Sequence, residues 1–280
     1  MISLSVAIWL AGLAPWWPDA PNPLPIKFDT SDGVTVGADY FAPKLEVGKK
    51  APVAILIHMY PMDRKSWAPI IPFLHDVGFA ILAYDVRGKG QSVLPAERDL
   101  RGQYGKRDPA LFAEAWRDAE GAKNILAKQA DCDVSRLVVI GASVGSSIAI
   151  DFARRDKDVK AIVCLSPYVT IFGLDTAAHI KEVGKRAILL LSPQREYSRS
   201  LDLVKSSGGV AKSEYLPGGP SQHGSLMLEE PMYATHACQM ITDFVREPAG
   251  LGPPPKPAEN RKDASKSEDT SKKNENKKGS

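Results

Sequence analysis

The chain is short of cysteine, of long apolar runs and of net charge, and each shortage removes a class of protein. Only three cysteines occur in 280 residues: Cys132, Cys164 and Cys238. They are odd in number and far apart, so they form neither a zinc-ligand pattern nor a disulfide framework. No apolar run reaches the roughly 18 residues that a membrane span needs. Lys and Arg number 36 against 33 Asp and Glu, a net charge of +3. Eight of the basic and five of the acidic residues lie between Ala249 and Ser280, which leaves 28 of each in the body. A neutral body lacks the clustered basic face of a nucleic-acid footprint. No internal repeat is visible. What remains is an ordinary globular composition, 44% hydrophobic and 25% charged. It suits one domain of roughly 220–250 residues or two small ones.

The two ends differ from the body. Ile2 to Ala14 is apolar or small, and Pro15-Trp16-Trp17-Pro18 breaks the run. Gly12 and Ala14 are small residues before a cleavage point, as in a secretory signal. Only the terminal amine supplies positive charge, so the signal is incomplete. Residues 1–20 therefore read as a weak signal peptide or as an apolar arm docked on the domain. Export to a periplasmic or extracellular space follows from the first reading, and a cytoplasmic location from the second. If the chain is exported, its free thiols must be buried. At the other end, Pro248 to Pro257 is rich in Pro and Gly, and Asn260 to Ser280 has no large apolar residue. Residues 248–280 read as a disordered tail that cannot bury a core.

Residues 24–247 read as the folded domain. Val53–Ile57, Phe79–Ala83, Leu137–Ile140, Ala161–Leu165 and Ala187–Leu191 are short continuous apolar runs. Runs of that length suit strands buried on both faces of a parallel sheet. Helical periodicity lies between them: Ser66–His75 with Ser66 as cap, Pro109–Lys128, Val144–Arg154, Leu174–Val183 and Pro231–Val245. Earlier, Ile26–Asp29 and Val34–Phe41 alternate around Asp32-Gly33, a hairpin signal. A hairpin followed by β-α units predicts an open α/β sheet.

Four motifs sit at strand ends. Gly141-Ala142-Ser143-Val144-Gly145 follows one strand directly and opens a helix. Such a turn lifts a Ser hydroxyl out of the sheet, and the helix N-terminus offers unpaired N–H groups to a developing oxyanion. Without chemistry, it would be a small-residue turn made for packing. His58-Met59-Tyr60-Pro61 ends the strand Val53–Ile57, and His58 reads as structural. Asp85 to Ser92 places glycines at 88 and 90, but it lacks the Gly-Lys-Ser/Thr ending of a phosphate loop. It reads instead as a sharp surface turn pinned by Asp85 and Arg87. Gly218 to Gly224 is a Gly-rich loop carrying His223. His75, His179 and His236 fall on predicted helices, so His223 is the candidate general base for Ser143.

In order and spacing these four motifs resemble the α/β-hydrolase superfamily, and most closely its compact esterase and dienelactone-hydrolase-like members. The resemblance runs from about Ile26 to Val245. It implies a mostly parallel central sheet with helices on both faces. The short stretch between Leu165 and Ala187 holds one helix and leaves no room for a large cap domain. The resemblance implies a serine hydrolase acting on small carboxylic esters through an acyl-enzyme, with no cofactor and no metal. Ser143 is then the nucleophile, His223 the base, and the N–H groups of Tyr60 and Val144 the oxyanion donors. Met59, Tyr60, Trp67 and Tyr168 are candidates to line the substrate, although Trp67 suits core packing equally well.

One position departs from the pattern. The family's acid follows the strand Ala187–Leu191, where this chain reads Ser192-Pro193-Gln194-Arg195-Glu196. Similar proteins carry Asp about where Arg195 stands. Three readings stay open: Glu196 is the acid, Asp175 is the acid, or the acid is lost. The last would make a non-catalytic binding protein with a degraded triad. A peptidase or amidase of the same fold is the enzymatic rival. The sequence leaves the substrate and the oligomeric state open.

Overall fold

The computed structural model describes residues 20–46, 48–216, 222–229 and 233–254. Residues 1–19 of the expected signal segment and residues 255–280 of the expected tail lie outside them, while Ala249, near the start of that expected tail, is fully buried in the core. Ten strands occur among these residues: β1 (Leu24–Asp29), β2 (Thr35–Phe41), β3 (Ala51–Ile57), β4 (Ala80–Tyr84), β5 (Cys132–Ala142), β6 (Val159–Leu165), β7 (Thr170–Ile171), β8 (Leu174–Asp175), β9 (Ala187–Pro193) and β10 (Lys212–Leu216). The helices are α1 (Ile71–Asp76), α2 (Leu100–Gly105), α3 (Pro109–Ala113), α4 (Trp116–Leu126), α5 (Val144–Arg155), α6 (Thr176–Glu182), α7 (Tyr197–Ser206) and α8 (Ala234–Arg246).

Eight strands make one sheet in the order β1-β2-β4-β3-β5-β6-β9-β10. β2 runs antiparallel to both of its neighbours, and every pair from β4 to β10 is parallel. This is the α/β-hydrolase architecture that the motif order implies. Between β6 and β9 the chain makes only the β7-β8 hairpin and α6.

Both faces of the sheet are covered, which is why the central strands read as continuous apolar runs. Along β3, Val53, Ile55 and Ile57 join a core that includes Ile148, Phe152, Ile180 and Leu203 of α5 to α7. Ala54 and Leu56 point the other way, toward Phe73 and Leu74 of α1 and Ile241 and Val245 of α8. Each such side chain contributes about 1.5–3 kcal/mol when fully buried.

Several elements differ from the sequence expectation for local reasons. Ser66 does not cap a helix. Asp63 caps a short 3-10 turn, Arg64–Trp67, by accepting from the Lys65 N–H at 2.9 Å. Pro69 and Pro72 lack N–H groups, so a continuous helix over 66–75 is impossible and α1 starts only at Ile71. The expected helix over 109–128 is split into α3 and α4, joined by a tight turn. β10 and α7 have no counterpart in the sequence reading. β10 is a largely polar edge strand, and α7 buries only Ser200 and Leu203, so neither has an apolar run.

Asp85 and Arg87 pin the 85–92 turn from inside: both are fully buried, as is Ser92, while Gly90 and Gln91 at its tip are exposed. Asp118 accepts from the Arg87 backbone N–H and Nε, both at 2.9 Å, and Arg87 Nη1 reaches Asp32 at 2.9 Å. Asp85 accepts from the Gln91 and Arg64 N–H groups at 2.9 and 3.1 Å and pairs with the Arg64 guanidinium. The two acids thus replace the water that the turn's buried donors have lost.

The buried Arg87–Asp118 pair generates a stability prediction. Arg87→Ala lowers the free energy of unfolding in urea by about 3–5 kcal/mol, because Asp118 is left buried without its cation. The double substitution Arg87→Met/Asp118→Leu recovers most of that loss. Arg98→Ala, which removes a half-exposed partner of Asp32, costs about 1 kcal/mol or less.

Candidate active site

The four motifs meet at the carboxyl ends of the strands, where open α/β sheets hold their sites. β5 ends at Ala142 and α5 begins at Val144, so Ser143 is the whole connection. Its backbone lies at φ 52° and ψ −117°, a strained conformation for a residue with a side chain. The strain is held in place by its surroundings. The Ser143 N–H donates to the Leu165 carbonyl at 2.8 Å, and the Ser146 hydroxyl donates to the Gly141 carbonyl at 2.9 Å. Residue 145 must be glycine, because a Cβ there would collide with the carbonyl oxygens of Ile57 and His58. That close approach sets the N-terminus of α5 against the end of β3. It places the Val144 N–H, which has no intrahelical acceptor, next to the loop that carries Tyr60.

His58 fixes that loop. It is fully buried. Its Nε2 accepts from the Val86 N–H at 2.9 Å, so its Nδ1 carries the proton and donates to the Met59 carbonyl at 2.9 Å. Burial pushes its pKa below the usual histidine value despite that hydrogen bond. His58 is therefore a neutral strut between two strand-end loops, the structural role that the sequence suggested.

His223 and Glu196 come together. The His223 Nδ1 lies 3.0 Å from Oε2 and 3.1 Å from Oε1 of Glu196. Burial raises the Glu196 carboxyl, but hydrogen bonding from His223 and Ser166 and the charges of His223 and Arg199 outweigh it, leaving the pKa below the usual value. Glu196 is 5% exposed. Arg195 Nε and Arg199 Nη2 stand 3.8 and 3.9 Å from Oε1, and the Arg195 side chain is mostly in solvent. The next residue, Gly224, lies close to Met59 and to the turn that carries Ser143. Its φ is +60°, and a Cβ there would meet the Met59 sulfur and lie 3.6 Å from the Ala142 Cβ. Gly224 thus lies beside the residue that precedes Ser143, with no room for a side chain toward Met59.

The other candidates are placed as follows. Asp175 caps α6, accepting from the Ala178 N–H at 2.9 Å, and its side chain is exposed. It is engaged there and does not meet His223. Trp67 is fully buried in the core and lines no site. Met59 is buried against Gly224. Tyr168 stands edge-on to the His223 ring at 5.6 Å, with the Arg199 guanidinium 4.4 Å above its own ring. Tyr60 packs against Tyr104 and Phe172 at 5.1 and 5.7 Å. It also borders a cavity of about 430 Å³ shared with Tyr104 and the 88–90 turn. Among the described residues no group of three or more His, Cys, Asp or Glu could hold a metal, and no helix is long and apolar enough to cross a membrane. All three thiols are free and buried, and burial pushes each up to about 12.

Sequence reasoning missed Ser166, Arg199 and the ring contact at Tyr168. No motif marks the first two. Ser166 follows β6 as a single polar residue, and Arg199 lies on the unpredicted helix α7.

Residues 23–182 match the family model described as acetyl xylan esterase, more than half of the chain. The chain belongs to the acetyl xylan esterase family. That match covers Ser143, Tyr60 and Val144, and it stops short of Glu196 and His223. The family places the chain among α/β-hydrolase esterases. An uncharacterized protein of Mycobacterium tuberculosis is 28% identical over 178 residues, 62% of this chain and 57% of that protein. The chain therefore spans little more than half the length of that relative. The Pyrococcus furiosus esterase Pf2001 has a similar structure, with a TM-score of 0.61 at 16% identity over 82% of this chain and 97% of its own. The Pyrococcus horikoshii acylaminoacyl peptidase gives 0.65 at 16% identity over 81% of this chain and 41% of its own. At such identity the two structures establish a shared fold.

Two measurements follow from the placement of the carboxylates. Asp175→Ala loses a helix cap worth about 1 kcal/mol in unfolding and leaves any hydrolytic rate unchanged. The folded pKa of Glu196 lies below its unfolded value of 4.5. Its stabilisation is therefore complete above about pH 4.5 and is lost as the pH falls through the folded value. The stability gap between the wild-type protein and Glu196→Gln, read by urea unfolding across pH, stays open above that pH and closes below it.

Proposed function

We propose that the protein is a serine esterase that cleaves small carboxylic esters, acetyl esters first among them, through an acyl-enzyme. The contact between His223 Nδ1 and the Glu196 carboxylate carries this reading. With Nδ1 donating to Glu196, the base is Nε2. Ser143 Oγ attacks the acyl carbon as Nε2 takes its proton. The carbonyl oxygen becomes an oxyanion and is held by the N–H groups of Val144 and Tyr60. The tetrahedral intermediate collapses as His223 passes the proton to the leaving alcohol. Water, deprotonated by the same nitrogen, then releases the acid. Glu196 supports the imidazolium that forms in both steps. Each oxyanion donor is worth about 10²–10³ in rate. The orienting acid is worth roughly 10⁴. Tyr168 lies beside the imidazole and Met59 below the histidine loop, and both are the proposed substrate-facing residues.

Arg195 motivated the reading of a lost acid. Its side chain is mostly in solvent even though Nε stands 3.8 Å from Glu196 Oε1, and that carboxylate still reaches the imidazole, which favours the catalytic reading.

A fluorophosphonate probe tests the nucleophile without knowledge of the substrate. Mass spectrometry is expected to find the adduct on Ser143, with labelling lost in His223→Ala and slowed by orders of magnitude in Glu196→Gln. Hydrolysis of p-nitrophenyl acetate is expected to exceed that of p-nitroacetanilide and to vanish in Ser143→Ala. Folded protein that takes up no probe sinks the proposal in favour of a binding role. Faster cleavage of the anilide than of the ester turns it into an amidase.

A further inference from the structure

Ser166 is the first residue after β6, and nothing above gives it a task. It is completely buried, and its backbone lies at φ 51°, in the left-handed region that a residue with a Cβ adopts at a cost. Glycine would suit that backbone better. A side chain retained there needs a reason, and the contacts supply one.

The Ser166 N–H donates to the Leu191 carbonyl at 2.8 Å, which ties the turn to β9, the strand that leads to Glu196. Its hydroxyl oxygen accepts from the Gly224 N–H at 2.9 Å, a buried bond across 58 residues of sequence. Gly224 follows His223 directly. The hydroxyl also lies near enough to the Glu196 carboxyl to help hold it ionised. A serine hydroxyl has one proton to give and two lone pairs with which to accept. Here the backbone N–H of the histidine loop donates to its oxygen, and its own proton is available to the acid.

We infer that Ser166 is a positioning residue for the reaction, a buried residue that locks the His223 loop to the end of β9, the strand that leads to Glu196. The inference rests on the reading of Ser143, His223 and Glu196 given above. It adds a group that touches neither the substrate nor the reacting atoms. His223 sits in a loop rather than on a strand, so its ring is placed by whatever holds its neighbours. Gly224 is held by Ser166 on one side and packed against Met59 and Ala142 on the other. Without the hydroxyl, the Gly224 N–H would be buried with no acceptor, and the loop would move to find one. Misplacement of about 1 Å is enough to cost on the order of 10² in rate.

Ser166→Gly separates this role from simple packing, because it removes the hydroxyl while relieving the backbone. Its thermal midpoint is expected to equal or exceed that of the wild-type protein. Its kcat for p-nitrophenyl acetate is expected to fall about 10–100-fold with KM within about twofold, and fluorophosphonate labelling of Ser143 to slow by the same factor. Ser166→Ala is expected to show the same kinetic loss, so a fault in one variant does not decide the matter. A proton spectrum supplies a readout that needs no turnover. The downfield resonance of the His223 Nδ1 proton is expected in wild type and Ser143→Ala and is lost when Ser166→Gly is added. Wild-type kcat and labelling rate in a folded Ser166→Gly overturn the inference, as does a rise in KM at constant kcat. If the wild-type protein itself takes up no probe, the esterase reading fails. The proton resonance then still shows whether Ser166 fixes His223 on Glu196.

Discussion

The site depends on one close approach. The first turn of α5 lies so near the end of β3 that residue 145 cannot carry a side chain, because the Ile57 and His58 carbonyls occupy the place of a Cβ. Three consequences follow from that contact. Ser143 is forced into a strained backbone at the top of the sheet. The unpaired N–H at the start of α5 is set beside the loop of Tyr60. The helix dipole points at the same place. The strain is tolerated because β5 and β6 are locked together in the middle of an eight-stranded sheet, and the Leu165 carbonyl holds the Ser143 N–H.

Around that contact, the polar groups of the loops are satisfied by one another. His58 spends both ring nitrogens on backbone groups of neighbouring loops. Asp85 and Asp118 each collect several donors from a turn that has left water. Ser166 does the same between the end of β9 and the histidine loop. Buried polar groups of this kind are costly when unpaired and rigid when paired. The strand-end loops are therefore held in place by hydrogen bonds as well as by apolar packing. This is what a site needs if its parts come from five different strand ends. The free thiols take no part: each is buried, and burial keeps it protonated.

Much of this was legible before the structure. The five apolar runs gave the central strands because both faces of the sheet are covered, so periodicity reduces to continuity. The Ser143 motif was readable because the backbone geometry of the elbow admits few residues. The misreadings have equally local causes. Ser66 looked like a cap, but the prolines at 69 and 72 forbid the helix it would start. The pinning role of Asp85 and Arg87 was legible, but their burial was not, because charge in a glycine-rich turn normally means solvent. Their burial depends on Asp118, Asp32 and Arg64, which no local window contains. β10 and α7 have too little apolar surface to announce themselves.

By itself the sequence determined the order of the central strands, the elbow at Ser143 and the loop that carries His223, since each follows from local periodicity or from a turn that few residues permit. It left open which carboxylate faces the imidazole. Asp175 and Glu196 are equivalent in composition and similar in chain position. Only the tertiary structure separated them, by giving Asp175 a helix N-terminus to cap and Glu196 a histidine to meet. Ser166 was equally hidden. Its partners Leu191 and Gly224 lie 25 and 58 residues away, and only packing the ends of β6 and β9 beneath the histidine loop brings them within reach of one residue.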